Sequence, residues 1–174
     1  MDASDSMHVI AEISVGFIGF AGIVGALARG QLTPEHRHTW LGFWTMIEFG
    51  LVMLLASLLP SLLALLGAAN PMRLASALFA LFLVGHLALI TPRFARARRG
   101  VDWPRGILLL DAATFLFLVI AAVSQSANAL GLGFATRSGG FLLGLYSLLV
   151  VSGLNFALLA YLILLPEADD VDDD

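Results

Sequence analysis

Glu48, His86 and Asp111 are the residues of this sequence with the clearest chemistry to offer, because each interrupts a long apolar run. A charged group in hydrocarbon costs at least about 2.5–3.5 kcal/mol, so it needs a partner or a task. Carboxylates and imidazoles lifted out of water and set side by side are the groups that hold and pass protons near neutral pH. The expected arrangement is a carboxylate–imidazole–carboxylate relay, a proton or ion site, with Asn155 as its hydrogen-bonding neighbour. The competing reading is a polar knot that fixes the rotation of four packed helices.

These residues share a depth. Helix rise is about 1.5 Å per residue, which sets Glu48 about 12 Å beyond Trp40 and Asp111 about 10 Å beyond Pro104. The same rise sets His86 about 8 Å short of Thr91 and Asn155 about 15 Å short of Leu165. All four depths are counted from one side of the bundle, so they agree whichever way the chain is threaded. Each helix nevertheless offers a polar spot and no polar stripe: around His86 lie Phe79, Phe82, Leu83, Leu89 and Ile90. A water-filled pore through one chain is not expected.

The elements that must position these groups follow from composition. The chain of 174 residues is 59% hydrophobic and only 13% charged, with mean hydropathy +0.92. A water-soluble domain carries charge on about a quarter of its residues. A span needs about 20 apolar residues, and five such runs occur: His8–Arg29, Trp40–Gly67, Met72–Thr91, Pro104–Ser126 and Gly139–Leu165. The fold class expected is an all-α, polytopic integral membrane bundle of five helices, one domain over 1–166 with a disordered acidic tail at 167–174. Thr33-Pro34-Glu35 and Asn70-Pro71 have the cap-then-proline order that opens helices. Pro60 falls inside the second run, where a kink is expected. Ser124–Ser138, with Gly131 and Gly133, reads as a connector.

Orientation comes from the arginines; the chain has no lysine. Arg29 and Arg37 follow the first span, and Arg93, Arg96, Arg98, Arg99 and Arg105 fall on the same side. The other two connectors carry Arg73 and Arg137 alone. The positive-inside rule then places the N-terminus outside and the C-terminus in the cytoplasm. Trp40, Trp44 and Trp103 gather at the inner interface, where indole is well placed. Asp2 and Asp5 precede the first span without any basic residue, so a cleavable signal peptide is not expected there. A chain rich in Arg, Ala and Leu and free of Lys points to a bacterial cytoplasmic (inner) membrane.

Two features lie apart from the cluster. His8 and Glu12 sit one turn apart near the outer boundary and are expected to pair or reach the interface. Gly16, Gly19, Gly22 and Gly25 form a small-residue seam of the kind that lets membrane helices approach closely. Packing within the chain is the expected use, with a homo-oligomer or a membrane partner subunit as the other. Beyond the bilayer, anionic lipid at the Arg93–Arg105 loop is a possible partner; the acidic tail is the other candidate to meet that loop. No nucleic-acid partner is expected.

No enzyme is expected either. The sequence has no HExxH, no cysteine of any kind and no phosphate loop in a βαβ setting. His86 is the one deeply placed histidine, which argues against bis-His haem; His36 and His38 alone do not make a metal site. No metal or other cofactor is anticipated. The functional expectation is a proton-linked transporter or channel for a small solute or ion; the alternative is a non-catalytic accessory, assembly or regulatory subunit whose buried polar groups are structural.

Overall fold

The computed structural model describes residues 3–28, 37–97, 105–132, 134 and 136–164. Among them every regular element is an α-helix: α1 (Ala3–Ala28), α2 (Arg37–Leu65), α3 (Pro71–Ala97), α4 (Arg105–Leu130) and α5 (Arg137–Leu164). All five are long and apolar enough to cross a membrane. The five runs read from the sequence are thus five helices, though several extend further than expected.

The turns are set by local chemistry. Gly67 (φ +78°) and Gly131 (φ +79°) adopt the left-handed conformation that costs glycine nothing. After α2, Gly67 N–H donates to Ala64 and Ala68 N–H to Leu63. After α4, Gly131 N–H donates to Asn128 and Leu132 N–H to Ala127. Both are the double closure that satisfies the last carbonyls of a helix. Thr136 caps α5, its Oγ1 accepting from Gly139 N–H at 3.2 Å. Asn70-Pro71 opens α3 as the sequence implies, with Leu74 N–H on the Asn70 carbonyl at 3.1 Å.

Three boundaries differ most from the sequence reading. α1 begins at Ala3, five residues before His8. α4 runs to Leu130, so Ser124–Leu130 is helix and the connector begins at Gly131. α3 continues through Pro92 to Ala97; an internal proline forfeits one hydrogen bond, and a helix can bend there without ending. α2 likewise stays helical through Pro60.

α5 touches all four other helices, and α1 lies across α2 and α5. The main core gathers Phe49 and Met53 of α2, Phe79 and Leu83 of α3, and Phe141, Leu145, Leu148 and Val151 of α5. Phe79 and Phe141 meet edge to face at 6.0 Å between ring centroids, a favoured aromatic geometry. A smaller cluster of Ala21, Phe43 and Met46 packs with Phe17 and Phe156. Buried serines return their hydroxyls to their own helix: Ser14 to Ile10, Ser147 to Leu143 and Ser124 to Ala121. The exterior is apolar as well, with Leu55, Leu81, Leu109 and Val123 all largely exposed.

Candidate functional site

α2 carries Glu48 and α3 carries His86 to one level, where His86 Nδ1 and Glu48 Oε1 share a hydrogen bond of 3.0 Å. The imidazole is enclosed, its side chain 8% exposed, while the carboxylate is 45% exposed. Phe49 and Phe82 flank the imidazole with ring centroids at 5.0 and 5.8 Å. They hold the ring from the apolar side, and Glu48 faces its nitrogen. One proton has two homes in this bond. With the carboxylate ionised the ring N–H donates; with the proton on Glu48 its O–H donates to the bare nitrogen. The hydrogen bond can therefore form with the proton on either partner.

Of the four residues expected to converge, the structure joins Glu48 and His86 directly. Asp111 is partly buried on α4. Asn155 turns its amide back along α5, Nδ2 donating to the Val151 carbonyl at 2.8 Å. Equal depth did not bring that amide nitrogen into the Glu48–His86 bond; it bonds its own helix instead.

The two α1 features are placed differently. His8 and Glu12 are both exposed, as side chains that reach outward instead of pairing would be. Nothing around two exposed side chains offsets the entropy of holding them in one geometry. Of the glycine seam, only Gly25 is closely met within the chain: a Cβ there would overlap the Phe43 ring. Around Gly16, Gly19 and Gly22 nothing lies within 4 Å of where a Cβ would stand. The reason is angular. α1 buries the stripe of Met7, Ile10, Ser14 and Ala21, while the seam winds about 60° at each step, with Gly16 and Gly19 on the opposite face and Gly22 on its flank. The close approach to α2 uses Gly50 instead, where a Cβ would meet Ile18 Cγ1 at 2.8 Å. His36, Arg98, Arg99 and the acidic tail lie outside the described residues, as do the side chains of His38, Arg93 and Arg96; Arg105 opens α4 and is exposed.

A second polar layer, not anticipated from the sequence, crosses the end of the bundle where α4 finishes and α5 begins. Gln125 is fully buried, and its Nε2 donates to the Gly140 and Phe141 carbonyls at 3.1 and 3.0 Å. Among the described residues its Oε1 has no hydrogen-bond partner. Asn128 Nδ2 donates to Ser76 Oγ at 2.7 Å and to the Arg137 carbonyl at 2.8 Å. Arg137 Nη1 donates to Asn70 Oδ1, and Arg73 Nε to the Ala129 carbonyl, both at 2.6 Å. The layer depends on small residues in α5: a Cβ on Gly144 would overlap the Gln125 amide, and one on Gly140 would stand 3.0 Å from Asn128 Cγ. The signal available in the sequence was the pairing of Gln125 and Asn128, one turn apart, with Gly140 and Gly144, one turn apart. Among the described residues, no three His, Asp or Glu side chains gather as a metal site. Compared with protein-family models, with curated proteins and with solved structures, the chain matches none of them.

Proposed function

We propose that this chain is an integral membrane protein of five spans, N-terminus outside and C-terminus in the cytoplasm of a bacterial inner membrane. Its Glu48–His86 pair then serves as a proton-exchange site for the linked movement of an ion or small solute. The observation that carries this reading is the asymmetry of the pair: an imidazole enclosed by two phenylalanines, bonded to a half-exposed carboxylate. A charged or protonatable carboxylate at that level of an apolar surface is expensive unless it is used. The arginine distribution supports the threading.

A second reading has its own support. α2 packs more extensively on α1 and α5 than on α3, and the Glu48–His86 bond spans that thinner α2–α3 contact. In an accessory or assembly subunit this bond would be a staple. Flux separates the two. The purified protein is reconstituted in liposomes enclosing a pH-sensitive dye, beside Glu48→Gln and His86→Ala variants checked for folding. Transport requires proton movement in the parent and its loss in folded Glu48→Gln. A parent no leakier than empty liposomes, with variants that merely lose stability, leaves the staple.

A further inference from the structure

The end of the bundle opposite the Glu48–His86 level holds two arginines, Arg73 on α3 and Arg137 on α5. Arg73 and Arg137 are both exposed, and among the described residues neither forms an ion pair. Each is nonetheless held in place by an uncharged acceptor, Arg73 by the Ala129 carbonyl and Arg137 by Asn70. Asn70 and Arg73 belong to the opening turn of α3, so the two guanidinium groups are tied to one rim. That rim borders an open groove of about 410 Å³ that contains Arg73, Asn70, Leu74, Ala77 and Ala129 among its walls.

The groove combines two chemistries. Its walls are alanine and leucine apart from Asn70 and Arg73 at the rim, and below it Leu78 and Leu81 continue the apolar surface along α3. A guanidinium presents several N–H donors in a planar fork that matches phosphate oxygens, and one committed donor leaves the rest available. The N-terminal turn of α3 adds its own partial positive charge at the same place. A ligand that uses both halves carries an anionic head group on an apolar chain, and a phosphate matches the guanidinium fork.

We infer that this groove is a binding site for an anionic phospholipid, phosphate on Arg73 and Arg137, acyl chain along Leu74 and Ala77. The inference rests on the membrane-spanning part of the reading above and is independent of the proton site. It places a lipid contact at the end of the bundle away from the Arg-rich loop.

The test is native mass spectrometry of the full chain released from detergent with phosphatidylglycerol, phosphatidylcholine or inorganic phosphate. Parent, Arg73→Gln/Arg137→Gln and Ala77→Phe proteins are compared, the last filling the groove while leaving both arginines. About tenfold preferential retention of phosphatidylglycerol over phosphatidylcholine is expected for charge-assisted phosphate contacts. It should be lost in the double variant and weakened in Ala77→Phe. Retention of inorganic phosphate equal to that of phosphatidylglycerol overturns the lipid as occupant. Equal phosphatidylglycerol retention by all three proteins overturns the site. A parent protein that does not partition into membranes at all defeats the membrane reading instead, a separate outcome read by flotation.

Discussion

Replacing Gly144 by alanine should destabilise the bundle by about 3 kcal/mol, although alanine is the better helix former. Three contributions set the size. Helix propensity favours alanine by about 0.8–1 kcal/mol. Against it, the new methyl group occupies the space of the Gln125 amide, fully buried beneath α5, and overpacking of this kind costs about 1–3 kcal/mol. Displacing that amide also breaks its two bonds, to Gly140 and Phe141, worth about 0.5–1.5 kcal/mol each. The assay is a double-mutant cycle by equilibrium unfolding in mixed detergent, with Gln125→Ala as the second substitution. Once the amide is gone the methyl group has room, so Gly144→Ala in that background should cost less than about 1 kcal/mol, the remainder being coupling energy. Equal cost in both backgrounds, or no cost in either, would refute the proposed fit of Gln125 into the glycine notch.

Two further outcomes follow from the same geometry. Along α1, Gly19→Ala meets open space and should be neutral or stabilise by up to about 1 kcal/mol, whereas Gly25→Ala strikes Phe43 and should cost about 1–3 kcal/mol; thermal unfolding of the two variants in one detergent checks the contrast, and equal behaviour would contradict it. At the pair, Glu48→Leu strands the enclosed His86 Nδ1 and should cost about 1–3 kcal/mol, while Glu48→Gln still offers the ring a hydrogen-bonding partner and should cost clearly less. The same unfolding assay decides it, and a Leu variant as stable as the Gln variant would contradict the role of the bond.

The helices were legible because apolar length is a coarse signal that turns interrupt sharply: Gly67, Asn70-Pro71 and Gly131 stop and start them by backbone chemistry alone. The Glu48–His86 pairing was legible because depth along a helix is arithmetic. Rotation about the helix axis was not. Asn155 has the right depth and spends its amide on Val151. Gly16, Gly19 and Gly22 mark a smooth surface without saying which way it faces. Gln125 and Asn128 misled in the opposite direction. Polar residues near a chain reversal read as connector, yet here they are helical and buried because α5 offers glycines and carbonyls to receive them.

The pairing of Glu48 with His86 is the claim on which the functional reading stands, and a chain without cysteine is well suited to testing it. The Glu48→Cys/His86→Cys protein, embedded in membranes, is treated with a short thiol-to-thiol cross-linker and digested between α2 and α3. A contact of 3.0 Å between the native side chains predicts efficient joining of the two fragments, with none in either single-cysteine protein. Fragments that separate freely, when both thiols are shown to react with a monofunctional reagent, would contradict the pair.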